Sequence, residues 1–261
     1  MQVGSRGTVS SSLANPGLAL IVLCVVMVAC AAVVYRFAGL GNPLTAPWAA
    51  ARGALQLVAV SLVLAAALAH LWSSLLVLTV MFGAAVFTAA RRARAGRSAM
   101  WLAAALAAGV GLVVPMMLVS GVVPLEGVAL VPIGGIVLGN AMTATALAAK
   151  RGLDAIDHRW GEVEAALSLG LTVRDARMEV VGSAASDALL PGLDQTRTVG
   201  LVTLPGAFVG VLLATGSAVQ AGAVQILVLV GLLLAQTCAV AVTIELVARG
   251  VVHRLGTHTV Y

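Results

Sequence analysis

Long apolar runs separated by short polar segments make up most of the chain, and this pattern predicts membrane-spanning helices. A helix needs about 20 apolar residues to cross the hydrocarbon core of a bilayer. Seven spans are predicted, at residues 17–36, 55–71, 73–90, 100–119, 128–149, 198–214 and 224–248. Only "AHLWSS" (69–74) separates the second span from the third, with Trp72 placed as an interfacial aromatic residue. The predicted fold is therefore all-α, a polytopic membrane protein with seven transmembrane helices.

The basic residues are distributed unevenly between the two sides of these spans. Every lysine and arginine except Arg6 lies in or beside the first, third or fifth loop, or in the C-terminal tail. Because Lys and Arg are enriched in cytoplasmic loops, the N terminus is predicted outside and the C terminus in the cytoplasm. Residues 1–16 are predicted as a disordered tail, 17–250 as the transmembrane domain and 251–261 as a C-terminal tail.

Composition excludes a soluble domain. Of the 261 residues, 61% are hydrophobic and only 10% are charged, whereas a soluble domain is about 25% charged. The formal net charge of +5 is explained by cytoplasmic loops, so no nucleic-acid partner is predicted. Cys24, Cys30 and Cys238 all lie in apolar runs, which indicates neither a disulfide framework nor a cysteine metal pair.

Residues 150–192, between the fifth and sixth spans, form the long polar part of the chain, here called the coupling segment. Two short helices are predicted in it. Asp154 is expected to cap the first and Gly170 to end it, and "TVRD" (172–175) has the spacing of a capping box at the start of the second. Two interpretations stay open: a solvated amphipathic linker on the membrane surface, or a docking element for a cytoplasmic partner.

The stretch "EAALSLG" (164–170) favours the docking interpretation. It resembles the first half of the "EAAxxxG" pattern of ATP-binding-cassette permeases, which marks the cytoplasmic helix that docks into the ATPase. The later "LP" of that pattern comes at a different spacing here, at Leu190–Pro191. The residues that this resemblance assigns to ATPase coupling are Glu164, Ala165, Ala166, Leu167 and Gly170. No G-x-x-x-x-G-K-[ST] loop is present, so ATP and Mg are expected on a partner ATPase and no cofactor on this chain.

Three longer stretches extend the resemblance over most of the chain. They are "VPIGGIVLGNAM" (131–142), "LSLGLTVRDA" (167–176) and "ALLPGLDQTRTVGLVTLPG" (188–206). Together they resemble the FetB family of iron-export permeases, which also contains plant aluminium-tolerance permeases. The resemblance implies a multi-pass permease of the bacterial plasma membrane, present as two copies, that works with two copies of a separate FetA-like ATPase. Where relatives often carry Met-Met, this chain has Ala207–Phe208, which removes two possible thioether ligands.

Polar groups and helix breakers inside the predicted spans are candidates for a transport path, since buried polar groups in a bilayer usually face the protein interior or a wet cavity. The candidates are Gln56, Asn140, Met142, Thr203, Pro205 and Glu245. For Asn140 the alternative is a hydrogen bond to a neighbouring helix. For Pro205, which is expected to break the sixth span, the alternatives are a hinge and a static kink. No arrangement of residues predicts a particular metal site.

Charged residues also surround Pro191, where the coupling segment enters the sixth span. A charge pair among Asp187, Asp194 and Arg197 would fix this junction, and Asp187 and Arg197 are therefore added to the coupling residues. The predicted function is a permease subunit that exports iron or another metal ion with ATP hydrolysed elsewhere. The alternative is an ATP-independent secondary transporter or channel. An enzyme ranks last because no H-E-x-x-H motif or nucleophile elbow is present.

Overall fold

The computed structural model describes residues 17–67 and 70–254, with side chains described for all of these except 63–67. Most of this part is helical and it contains no β-strand, which confirms the all-α prediction. The α-helices are α1 Leu18–Phe37, α2 Thr45–Ala67, α3 Leu71–Ala93, α4 Leu102–Val119, α5 Gly127–His158, α6 Trp160–Ser168, α7 Val173–Ser186, α8 Leu190–Thr198, α9 Gly206–Thr215 and α10 Ala218–Ala248. Short 3-10 helices cover Gly96–Trp101 and Asp187–Leu189. The predicted N-terminal tail and residues 255–261 lie outside the described residues.

The chain divides into two compact units, and residues up to Ala66 form the first. Helix α2 of this unit begins at Thr45, ten residues before the predicted second span. The Asn42 side chain accepts a hydrogen bond from the Leu44 N–H at 2.9 Å, just before the helix. Hydropathy alone placed the start too late, because "TAPWAAARGA" (45–54) combines good helix formers with an arginine and is less apolar than the remainder of the helix.

Five described helical stretches are long and apolar enough to cross a membrane. They are Leu18–Phe37, Leu71–Ala93, Gly96–Val119, Gly127–His158 and Ala218–Ala248. They correspond to the first, third, fourth, fifth and seventh predicted spans. The chain is thus a multi-pass helical membrane protein in its described part, while the count of seven spans stays a prediction.

The sixth predicted span, residues 198–214, is not one helix. Helix α8 ends at Thr198, and α9 begins at Gly206, directly after Pro205. Between them Val199 and Thr203 form an isolated bridge. Proline lacks the N–H that a helix interior needs, so the break at Pro205 occurs as expected. Helix α9 has 10 residues and is about 15 Å long at 1.5 Å per residue, half of the roughly 30 Å hydrocarbon core.

The fifth predicted span is longer than expected, and the expected cap at Asp154 is wrong. Helix α5 runs on past Ala149 to His158, so Asp154 lies inside it. The reason is tertiary burial: the extension buries Gly152, Leu153 and Ile156, and this contact keeps the charged end of the helix folded. With 32 residues, α5 is about 48 Å long and extends well beyond a hydrocarbon core.

The coupling segment packs into the second unit, residues 67–261. One buried cluster, here called the junction core, joins the ends of the long helices α3, α5 and α10 to α6 and α7. It includes Ala93, Leu102, Ala149, Val163, Val181 and Val247. Helix α7 buries four of its residues and contacts α5, α6 and α10. The coupling segment is therefore not a solvated linker.

We expect Gly152→Val to lower the free energy of unfolding by about 1–3 kcal/mol, since extra atoms in a packed interior force their neighbours apart. A β-carbon at Gly152 would lie 3.1 Å from Val181 Cγ1 and 3.5 Å from Val247 Cγ1. Gly182→Val on α7 is the matched control, because a β-carbon there would meet nothing within 4 Å. Thermal unfolding of the purified chain in detergent measures the difference. Equal midpoints for the two variants would contradict this packing.

Candidate functional site

Helix α6 carries most of the "EAALSLG" stretch and has one anchored face and one exposed face. Val163 is fully buried in the junction core, and Ala166 and Leu167 are partly buried against it. Glu164 and Ala165 are exposed. The Trp160 indole N–H donates to Glu164 Oε1 at 2.7 Å, which fixes the carboxylate along the helix. Small, exposed residues thus lie on a helix whose other side is held by the core.

The end of α6 is fixed by backbone hydrogen bonds around Gly170. The Gly170 N–H donates to the Leu167 carbonyl at 2.9 Å and the Leu171 N–H to the Ala166 carbonyl at 3.2 Å. Gly170 has φ +89°, a left-handed conformation that glycine adopts without steric cost. This is the Schellman pattern, and it confirms that Gly170 ends the helix. Leu169, at 83% exposure, projects from the same turn as a large unpartnered apolar side chain.

The next helix, α7, begins at a capping residue as predicted. Thr172 Oγ1 accepts a hydrogen bond from the Asp175 N–H at 3.2 Å and donates to Asp175 Oδ2 at 2.7 Å. Arg174 Nη1 also donates to Asp175 Oδ1 at 2.7 Å. The hydrogen bond from Thr172 and then that from Arg174 hold the pKa of Asp175 below its usual value. Helices α6 and α7 are therefore joined by a turn that is fixed on both sides.

An ion-pair network ties α7 to the end of α10. Arg174 donates to both carboxylate oxygens of Glu245, at 3.1 Å and 2.7 Å, and Arg249 Nε donates to Glu245 Oε1 at 2.6 Å. The hydrogen bonds to Glu245 and Asp175 raise the pKa of Arg174 above its usual value. Glu245 was predicted as a path residue, and the structure places it between two guanidinium groups. Its role in a path stays a prediction.

A second set of ion pairs fixes the chain after α10, which sequence reasoning missed. Arg254 donates to Asp157 Oδ2 at 2.8 Å and pairs with Asp154 Oδ1 at 2.7 Å. The Ser98 hydroxyl donates to the His253 carbonyl at 2.8 Å. Two aspartates three residues apart on a helix offer a site for one arginine, but only the fold shows that Arg254, 97 residues away, occupies it.

The charged residues around Pro191 form two separate pairs. Asp194 and Arg197 lie 3.5 Å apart within α8. Asp187 instead pairs with Arg151 of α5, at 3.1 Å. The pair Arg151–Asp187 therefore joins the 3-10 helix Asp187–Leu189, which precedes α8, to α5. Asp194–Arg197 is an exposed pair within α8. Whether Asp187 and Arg197 act in coupling stays a prediction.

A small polar cavity of about 70 Å³ lies where α5, α8 and α10 meet. Asn140, Gln195 and Gln236 all line it. The Asn140 side chain donates to the Ile136 carbonyl of its own helix at 2.9 Å, so the alternative of a bond to a neighbouring helix is not what the structure shows. Gln236 is only 4% exposed, and its amide makes no hydrogen bond with another described residue. A β-carbon at Gly192 would overlap this amide, so glycine is required for α8 to lie this close.

The other predicted path residues are spread over the chain. Met142 lies two residues after Asn140 on α5 and packs against the junction core. Thr203 and Pro205 lie in the break before α9, where the Gly200 N–H donates to the Thr203 carbonyl at 2.9 Å. Gln56 lies on α2 in the first unit. Among the described residues, no three or more His, Cys, Asp or Glu are grouped so that they could hold a metal ion.

The fold and these sites define a helical membrane protein in which a compact junction core connects the long helices to a short exposed helix. Comparison with known families identifies it further: residues 18–252 match the family described as "Uncharacterised protein family (UPF0014)". The chain belongs to this family, which confirms both the resemblance and the membrane location. No solved structure matches it.

Three relatives illustrate the family. "Protein ALUMINUM SENSITIVE 3" of Arabidopsis thaliana is 35% identical over 57% of this chain and 55% of the relative. "UPF0014 membrane protein STAR2" of Oryza sativa is 32% identical over 70% and 65%. "Probable iron export permease protein FetB" of Escherichia coli is 29% identical over 69% and 71%. The chain thus spans less than two thirds of the length of either plant relative.

We expect Gly170→Ala to loosen the end of α6, because a residue with a β-carbon pays about 1–2 kcal/mol in the left-handed conformation. Gly161→Ala, on α6 with open space around it, is the control and should be neutral or stabilising. Hydrogen exchange of the peptide that contains the Leu171 amide measures the effect. Unchanged protection in the Gly170 variant would show that the turn does not depend on glycine.

Proposed function

We infer that this chain is the permease subunit of an ATP-binding-cassette transporter, which exports iron or another metal ion with ATP hydrolysed by a separate FetA-like subunit. The observation that carries this proposal is α6: a short helix with Val163 fully buried in the junction core and an exposed face at Glu164 and Ala165. Such a helix can receive a partner on one side and transmit its movement on the other. The E. coli relative, named a probable iron export permease, supports the choice of function.

The contacts of α7 supply the route from α6 to the membrane helices. Val163 of α6 shares the junction core with Val180 and Val181 of α7. Helix α7 is in turn bonded to α10 through Arg174 and Glu245. Because packed cores shift between discrete arrangements rather than deforming continuously, a displacement of α6 would move α7 and the end of α10 together.

The distribution of basic residues supports the proposed orientation. The junction core brings residues 89–99, with their four arginines, to the same end of the second unit as the coupling segment. The two most basic stretches of the chain therefore share one end, and the enrichment of Lys and Arg in cytoplasmic loops supports a cytoplasmic location for that end. Seven spans, an outside N terminus and two copies of the chain complete the proposal.

Ala165→Arg is expected to abolish co-purification with the partner ATPase, since a long charged side chain would cover the small exposed surface of α6. Ser183→Arg is the matched control, because Ser183 is an exposed small residue on α7, outside the proposed contact. Affinity purification of the co-expressed chains from membranes measures complex formation. Intact complex with Ala165→Arg would move the ATPase contact elsewhere, and no complex even with the wild-type chain would favour the ATP-independent transporter or channel.

In the reconstituted complex, ferrous iron is expected to stimulate ATP hydrolysis, and Arg174→Gln is expected to reduce this stimulation severalfold. The reason is that Arg174 links α7 to α10 through Glu245. Because partly exposed ion pairs contribute little to stability, we expect the variant to fold. Arg159→Gln is the control, because Arg159 pairs with Glu162 within its own short stretch of chain and joins no two long helices.

Two outcomes of this assay test the coupling route and the identity of the substrate separately. Equal stimulation in the wild-type and Arg174→Gln complexes would remove Arg174 from the coupling route. A stable complex with ATPase activity that iron and other metal ions leave unchanged would keep the permease and reject the metal as its substrate.

A further inference from the structure

A second cavity, of about 450 Å³, lies between the end of α3 and the middle of α5. Four of its lining residues are basic: Arg91 and Arg92 in the last turn of α3, Arg94 just after it, and Lys150 on α5. None of the lining residues is acidic. The cavity is here called the basic cavity. Its volume falls in the range of about 300–1,000 Å³ that is typical of small-molecule sites.

The basic cavity brings together four basic side chains that have no counter-ion among the described residues. Six arginines elsewhere in this unit pair with carboxylates, namely Arg151, Arg159, Arg174, Arg197, Arg249 and Arg254. Arg97 and Arg177 form no ion pair with a described carboxylate and lie outside the cavity lining. Within residues 70–254, no acidic side chain forms an ion pair with Arg91, Arg92, Arg94 or Lys150. Four like charges that share one cavity repel one another, and a bound anion would offset this repulsion.

Two ordinary explanations account for only part of this arrangement. Cations in the last turn of a helix offset its dipole, which explains Arg91 and Arg92, and basic residues at this end orient the chain. Neither requires Lys150, 23 residues after the start of α5, to point into the same cavity. Arg94 has φ +56°, in the left-handed region that costs a non-glycine residue about 1–2 kcal/mol, and this turn places its side chain at the cavity.

We propose that the basic cavity binds a phosphate-bearing anion with at least two negative charges. Planar guanidinium groups match phosphate oxygens in paired hydrogen bonds. Three guanidinium groups and one ammonium group carry four positive charges, which exceeds the single negative charge of a carboxylate ligand and suits a multiply charged anion. The same chemistry occurs in the headgroup of an anionic phospholipid and in a soluble phosphate-bearing solute. Clusters of basic residues beside membrane helices attract anionic lipid, so both sources fit.

The site stands apart from the proposed ATPase contact. It shares Thr143 and Leu147 with the small polar cavity around Asn140, and none of its lining residues belongs to α6. A bare metal cation would be repelled by the basic cavity, which therefore is not a metal site. If no ATPase binds the chain, the proposed anion site is unaffected. If no anion binds the basic cavity, the proposed permease function is unaffected.

The test uses the purified full-length chain, with pyrophosphate as the soluble probe and phosphatidylglycerol in phosphatidylcholine nanodiscs as the lipid probe. Calorimetric titration measures pyrophosphate binding, and native mass spectrometry measures retained phosphatidylglycerol. Arg91→Gln/Lys150→Gln, which removes one charge from each helix, is expected to weaken binding at least tenfold. Arg97→Gln/Arg159→Gln removes the same charge outside the cavity lining and is expected to change binding less than twofold.

The binding of the two probes identifies the source of the ligand and tests the proposal. Saturable binding of pyrophosphate alone assigns a soluble ligand, binding of phosphatidylglycerol alone assigns a lipid headgroup, and displacement of one by the other assigns both to one site. Equal loss in the two double variants, or no saturable binding of either probe, overturns the proposal. Thr143→Trp fills the cavity without changing charge and should also weaken binding at least tenfold, which keeps the test decisive if the charge variant does not fold.

Discussion

The continuity of helix α5 past the end of its apolar run is the constraint on which the second unit depends. Lipid tails are as apolar as leucine, so helices in a bilayer associate through close packing of small residues rather than through the hydrophobic effect. Helix α5 buries Ala141, Ala144 and Ala148 along one side, and the same helix goes on to bury Gly152 and Ala155. Its partners change along the way, from α3 and α4 to α6 and α7. One rigid helix therefore belongs to both the membrane part and the coupling segment.

The distribution of charge follows from this architecture. The chain has only 10 acidic residues, and seven of them pair with arginines of the second unit. Arg174 and Glu245 join α7 to α10, Arg254 joins the end of the described chain to α5, and Arg151 joins α5 to Asp187. Because most carboxylates of the second unit are held in these pairs, the basic residues of the basic cavity, like Arg97 and Arg177, have no described acidic partner. Carboxylates are few in this chain, so most of those present are held in structural ion pairs and no described one is left to neutralise the basic cavity.

Several features of the structure that depend on neighbouring residues were predicted correctly from the sequence. Hydropathy located the long spans, Gly170 marked the end of α6, Thr172 marked the start of α7, and Pro205 marked the break before α9. Each of these depends on residues within a few positions of one another. The fifth span could not be bounded in this way, because nothing in "KRGLDAIDH" (150–158) shows that Gly152 will pack against Val181 and Val247.

Features that depend on distant residues were missed for the same reason. Arg174 and Glu245 are 71 positions apart, and either could have been a solvated charge. Hydropathy likewise treated residues 198–214 as one span, since it measures the apolar character of a run and not the hydrogen bonds that its proline removes. The basic cavity combines residues of two separate helices, so the sequence showed its arginines only as topology signals.

The break between α8 and α9 limits what can surround this part of the chain. Backbone N–H and C=O groups that no helix satisfies are not tolerated against lipid, and in membranes they occur only where they contact protein or line a wet cavity. Leu201, Val202 and Leu204 are exposed in the single chain, at 89%, 78% and 61%. Water would leave these apolar side chains uncovered, whereas a protein surface could cover both them and the irregular backbone.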